Sequence, residues 1–380
     1  MLPLRQLQQN HSNQTAAVIE LKQSQAIQQS RMLQDGESWE TLTNKEERHV
    51  FMDKILSAQL NGTSLDLQSY SAVPVKDVQL HARLKNSDQW MVLAHIDEIE
   101  AFSKTRFALR LNDQSFFPLV NGRGSIQLSG LSQIKQIPAG LFEFKFHSET
   151  DLHVQKLNQI KAKWKIFFGN YNQDYDSKWR KINALYAREW VMMMTNLAFM
   201  LSTPEFEHLW FNHKKVMGHD FFGDAGFVEA EKGIYKAEDY ARMYQQILNR
   251  TSINLGVTAM GGGLGGGEVL GVDTWLFYGH YRQSGYGIIA HEFGHGFGSH
   301  SSAWANSAYG FQPMMEWLHF YLQRQPGSIP YMDPDVNKFH LAPQDQLYVG
   351  INQGIVNAVP GKTRINPIDQ YFADNPLPNQ

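Results

Sequence analysis

The 380-residue sequence predicts an α+β chain: an N-terminal antiparallel β-sandwich followed by an α/β domain. Two observations predict it. Between about residues 69 and 150, apolar residues alternate with polar ones in short runs separated by turn signals, the pattern of half-buried antiparallel strands. Beyond about residue 176 the runs lengthen, and helically periodic segments alternate with a single clear strand. We therefore divide the chain into residues 1–68, a lead segment with one helix; residues 69–175, the β-sandwich; and residues 176–380, the α/β domain.

Taken in order, residues 1–36 are rich in Gln, Ser and Asn and read as a mobile or loosely helical lead. A helix is expected from Asn44 to Leu60, with Val50, Met52, Ile55 and Leu56 apolar and Glu46 and Glu47 near its start. Asn61 and Gly62 end it. Strands follow at Val78–Leu84, Trp90–Ile96, Arg106–Leu111, Ser125–Leu128 and Leu141–Phe146, with turn signals at Asn112-Asp113 and Asn121-Gly122. Lys161–Phe168 reads as one more strand, and Asn170–Asp176 as a linker.

Glu189–Pro204 is a long apolar run closed by Pro204, and length alone leaves strand and helix both open. Its methionines read as core. Ala237–Arg250 has helical period, and Ile253–Met260 reads as a strand. Gly261–Gly267 is almost all glycine. No Lys-Ser or Lys-Thr follows, so a phosphate cradle is disfavoured, and a sheet edge or tight loop beside the cleft is the better reading. Bare backbone there would allow an extended peptide to add as a strand.

Bulk properties narrow the function classes. Net charge is −3, which argues against nucleic acid or an anionic membrane surface as partner. There are no cysteines, which excludes a disulfide scaffold and a thiolate metal site. No run of about 18 apolar residues would span a membrane. No signal-peptide core is visible at the N-terminus, and a monomer is expected.

The chemistry is concentrated at His291, Glu292 and His295, a His-Glu-x-x-His motif preceded by apolar Ile288, Ile289 and Ala290. On a helix, residues four apart share a face, so both imidazoles can meet one ion. Glu292 lies about 100° round the helix, placed to hold a water beside that ion. Two neutral imidazoles and a non-ligating carboxylate suit a hydrolytic zinc site. The bland alternative is a buried helix with two hydrogen-bonded histidines.

A third ligand is needed, and two residues compete. Gly298 is suited to a left-handed turn that would stop the helix and return His300 to the ion. In the metzincin pattern the third His lies three residues after that Gly; His300 lies two after it. The rival is Glu316, on a second predicted helix, which would complete a gluzincin-type site. Met332 lies in a tight turn and is a candidate for a methionine turn. Tyr331 and Tyr348 are candidates to donate to a developing oxyanion.

Three blocks together give a resemblance. Glu189–Pro204, Ala259–Asp273 and His291–His300 resemble the ToxR-activated gene A family (TagA/StcE-type) of secreted zinc metallopeptidases, which cut mucin-like O-glycosylated proteins. The resemblance spans roughly residues 188–312. It implies a metzincin-like fold for the α/β domain, with Glu189–Pro204 as its opening strand. It also implies Zn2+ as cofactor, His291, His295 and His300 as ligands, and Glu292 as general base. An O-glycosylated glycoprotein substrate and a secreted or cell-surface bacterial protein follow from it in the same way. An expectation from another class is a glycoprotein-binding adhesin with a degenerate peptidase site, motivated by the position of His300.

Overall fold

The structure, a computed structural model, describes residues 8–12, 16–109, 111–130, 137, 140–171, 178–218, 220, 236–280, 285–308, 310–324, 328–332 and 367–378. The chain is α+β, with several antiparallel sheets. By contacts it divides into two units. One comprises Met1–Met32 with Lys54–Asn158, the other Leu33–Asp53 with Gln159–Gln380. These limits differ from the expected divisions near residues 68 and 175.

The first unit begins with β1 (Gln8–Ser12), β2 (Ile19–Leu21) and β3 (Gln28–Arg31). A lone strand of the other unit, β4 (His49–Phe51), comes next in the chain. The first unit resumes with β5 (Leu56–Asn61), β6 (Ser64–Ser69), β7 (Val75–Leu84), β8 (Met91–Ile99) and β9 (Ser103–Ala108). It is completed by β10 (Phe116–Pro118), β11 (Ser125–Ser129) and β12 (Phe142–His147). Three sheets form, in the orders β1-β11-β10, β12-β7-β8-β2 and β3-β9-β6-β5. The alternation of apolar residues dictates the layering. Leu65 and Leu67 of β6, Phe107 of β9, Val78 and Leu80 of β7 and Ile126 of β11 all enter one buried core.

The expected strands between residues 78 and 146 are all present. Two expectations for the lead segment are overturned. The described residues of the 1–36 segment carry three strands: β1, β2 and β3 pair with β11, β8 and β9. All three are outermost in their sheets. Backbone pairing holds them, and β3 buries none of its residues, so they carry no apolar period to read. Nor is Asn44–Leu60 a helix. A single capped turn, α1 (Trp39–Leu42), comes earlier, with Ser38 accepting from the Thr41 N–H. Val50 then lies on β4 opposite Ile166 and is buried there. Pairing with a distant strand overrode a spacing that suited either element.

The second unit is built on a mixed sheet in the order β16-β17-β15-β13-β4, with β14 alongside β15. Its strands are β4, β13 (Lys165–Phe168), β14 (Trp179–Arg180), β15 (Ser252–Thr258), β16 (Gly263–Gly266) and β17 (Val269–Asp273). β13 was expected in the sandwich; it runs parallel to β15 instead. After the short α2 (Leu152–Leu157) of the first unit, the helices are α3 (Ala184–Ser202), α4 (Pro204–Met217), α5 (Ala237–Leu248), α6 (Leu276–Gly279), α7 (Gly285–Gly294), α8 (Phe311–Gln323) and α9 (Pro367–Asp374).

Glu189–Pro204, taken from the resemblance as an opening strand, is helical instead: Glu189–Ser202 belongs to α3 and Pro204 starts α4. Nearly every α3 residue is buried, which explains why the run shows no polar face. Asn183 caps its start, accepting from the Tyr186 N–H at 2.8 Å. Thr203 ends α3 and caps α4, with Pro204 at the first position of α4. The expected helix at 237–250 and strand at 253–260 are present as α5 and β15.

α3 also carries polar groups into the core. Glu189 faces His280 at 3.4 Å, and both are fully buried. His280 Nδ1 lies 3.2 Å from the Tyr286 hydroxyl, to which Asn196 Nδ2 donates at 2.7 Å. His319 packs its ring against Tyr286 at 4.8 Å, and neither of its ring nitrogens has a hydrogen-bond partner. Burial holds its pKa down at about 3, with nearby His280 acting in the same direction.

A pH signature follows. An unfolded histidine titrates near 6.5. Between about 6.5 and about 3 the unfolded chain therefore binds a proton at this site that the folded chain does not. Stability is full above that window and falls as pH drops through it, by up to about 1.4 kcal/mol per pH unit. His319→Phe keeps a ring of similar shape and removes the titration. Melting midpoints from pH 8 to pH 4 should fall less steeply in His319→Phe than in wild type. Parallel curves would contradict a neutral buried imidazole.

Candidate metal centre

The site is built on α7. Its apolar lead-in and Phe293 fix the helix: Ile289 and Ala290 are fully buried, and Phe293 packs against Trp164 at 4.8 Å and Phe311 at 6.2 Å. Beyond Gly294 the backbone keeps helical bonding for one more residue, with the His295 N–H donating to the His291 carbonyl at 3.1 Å. The turn then tightens, with Phe297 N–H to the Gly294 carbonyl at 2.8 Å. His291 and His295 consequently share a face, their ring centroids 4.9 Å apart.

His300 joins them. Each of the three histidines offers a ring nitrogen within 4.8 Å of the others, and among the described residues this is the one such group found. His291 Nε2 and His300 Nε2 are 3.3 Å apart. Gly298 plays a different part from the one expected: it is not in the left-handed region. A Cβ there would stand 2.3 Å from Ser302 Oγ, so close packing of the return loop requires glycine.

Glu316 lies elsewhere. It is on α8 as expected, but its carboxylate and Cβ pack beside Gly287, in the first turn of α7, and it is not part of the histidine group. α8 supplies a different residue to the centre. Gln312 Oε1 accepts from His291 Nδ1 at 2.8 Å. That bond leaves the His291 Nε2 lone pair directed at its two neighbours, the orientation a ligand needs. The Gly298 backbone beside His295 acts in the opposite direction to burial on its pKa. Burial and the neighbouring imidazoles push His291 and His295 below the usual histidine range, which favours neutral, ligand-competent rings.

Glu292 is buried and turned toward the glycine-rich strand. β16 is the outermost strand of its sheet, as expected for Gly261–Gly267. A Cβ at Gly263 would stand 2.3 Å from Glu292 Cγ, and one at Gly265 2.3 Å from the Glu292 carbonyl oxygen. Glycine is therefore the residue that lets β16 lie on the motif helix. Burial raises the Glu292 pKa to about 7, against a hydrogen bond from the Gly265 backbone that lowers it.

Tyr331, expected near the cleft, is fully buried; its N–H donates to Asn196 Oδ1 at 2.8 Å. Met332 closes a buried turn with its N–H on the Ile329 carbonyl at 3.4 Å. Tyr348 lies outside the described residues. No family model, characterised protein or solved structure matches this chain.

The donor set fits a borderline-soft divalent ion. Three converging imidazoles could hold such an ion, and no thiolate competes. Sequence reasoning missed Gln312, which carries no local signal beyond its place at the start of a helix. Removing it should weaken metal binding without abolishing it. Gln312→Ala should raise the zinc dissociation constant roughly 10–100-fold, read by competition with a chromophoric chelator. An unchanged constant would show that Gln312 does not orient His291.

Proposed function

We propose that the second unit is a zinc-dependent endopeptidase of metzincin-like type. One observation carries this reading: three imidazoles converge, and Glu292, next to His291 on the motif helix, turns a buried carboxylate toward the edge strand of the sheet. His291, His295 and His300 would hold Zn2+, with Gln312 orienting the first of them. When bound, such an ion lowers the pKa of a water from about 15.7 toward about 7 and polarises a carbonyl.

The protein's own groups supply the rest. Glu292 takes the proton of the attacking water and delivers it to the leaving amine nitrogen. Burial suits it to this exchange, since a carboxylate with a pKa near neutrality both accepts and gives up a proton readily. Close packing against Gly263 and Gly265 of β16 holds Glu292 in place. The outer edge of β16 offers backbone groups to an extended peptide. The gluzincin alternative is disfavoured because Glu316 is not part of the histidine group.

The substrate class rests on the resemblance to the ToxR-activated gene A family. A mucin-like O-glycosylated protein outside a bacterial cell is the proposed target. The test is chelator-sensitive cleavage of a mucin-type glycoprotein, with activity restored by added zinc. Binding of that glycoprotein without cleavage by zinc-replete protein would overturn the peptidase reading and support an adhesin.

A further inference from the structure

Arg250 is a buried cation that the chemistry above does not use. It follows α5 and precedes β15, and only 9% of it is exposed. Among the described residues, no carboxylate is hydrogen-bonded to it. Nη1 donates to the Phe293 carbonyl at 2.9 Å and Nη2 to the Gly267 carbonyl at 2.5 Å. The guanidinium lies over the Phe293 ring at 4.7 Å and the Phe297 ring at 5.6 Å. A Cβ at Gly296 would stand 2.6 Å from its central carbon, so Gly296 leaves the space that the guanidinium fills. Burial lowers its pKa to about 10, with Glu268 opposing the shift. A desolvated cation is costly, and one held only by carbonyls and ring faces calls for a reason.

The reason lies in what the two carbonyls belong to. Phe293 is the residue between Glu292 and the end of α7, two before His295. Gly267 is the turn residue between β16 and β17, immediately after the glycine-rich edge strand. We infer that Arg250 is a positioning residue, a two-armed clamp that fixes the edge strand at its working distance from the helix carrying Glu292 and His295. The inference rests on the peptidase reading for its effect on turnover, but the clamp itself can be tested without it.

Only a planar fork can serve both carbonyls at once; a lysine ammonium is a single point on a flexible stem. Without the clamp, the end of β16 loses this tie to α7, and the packing of Gly263 and Gly265 no longer holds the Glu292 carboxylate in one place. His291 keeps its own partner, Gln312, and the three imidazoles stay grouped, so metal content should be spared.

The experiment compares wild type, Arg250→Lys and Arg250→Ala by amide hydrogen exchange, zinc stoichiometry and peptidase kinetics. In both variants exchange should accelerate at least about tenfold in residues 263–268 and 293–298 and stay unchanged in α3. Zinc should remain stoichiometric and kcat should fall at least fivefold. Millimolar ethylguanidine should restore part of the protection and of kcat in Arg250→Ala. Where Arg250→Ala fails to fold, Arg250→Lys supplies the result. Unchanged exchange in those two segments would overturn the clamp. So would a general loosening of the fold, α3 included, with no rescue by ethylguanidine, because it would make Arg250 merely structural. If wild type shows no cleavage at all, the peptidase reading fails and the exchange data still decide the clamp.

Discussion

Glu292→Gln should bind zinc as wild type does and lose cleavage by about 10²–10⁴-fold in kcat, the usual worth of a general acid–base group. The substitution is close to isosteric. The amide fills the same space, so the side chain should stay in its slot between α7 and β16. Glu292 is not part of the histidine group, and nothing in the ligand set changes. Only the ability to take a proton is lost. Zinc content, melting temperature and kcat should be measured on the same preparation. Turnover at the wild-type rate would remove Glu292 from the mechanism.

Loss of a ligand should be equally severe and should separate the two candidates for third donor. His300→Ala removes one of three converging nitrogens and should weaken zinc binding by more than the 10–100-fold typical of an orienting residue, with cleavage lost in parallel. Glu316→Ala removes a carboxylate packed at the opposite end of α7 beside Gly287. It should leave metal content at the wild-type level. Retention of zinc by His300→Ala together with its loss in Glu316→Ala would reverse the assignment and place the ion elsewhere along the helix.

Much of this centre is legible in the residues themselves, because its parts are local. His291 and His295 are one helical turn apart, and His300 is five residues further on. The glycine run at 261–267 signals close backbone approach, and the structure places that approach on Glu292. What could not be read is whatever depends on distant partners. Gln312 and Arg250 act on α7 from other elements and have no local signature. The polar strands β1 and β3 are held at sheet edges by backbone bonds, which leave no trace in hydrophobic period, and three-residue β2 is too short to show one. β13 and β4 belong to the second unit only because each finds a partner there. α3 was ambiguous for the opposite reason: buried on every side, it shows no polar face to reveal its period. Gly298 shows the limit of reasoning from residue type. Glycine is required there, but for the space Ser302 and Trp304 take rather than for backbone handedness.

Everything above depends on whether His291, His295 and His300 together hold one metal ion. X-ray absorption at the zinc edge, on protein purified without added metal and then loaded to one equivalent, addresses this most directly. The account predicts one tightly bound zinc per chain, with three imidazole nitrogens at about 2.0–2.1 Å and a light oxygen or nitrogen donor completing the shell. Failure to retain an equivalent of zinc, or a shell dominated by carboxylate oxygens without imidazole scattering, would contradict it.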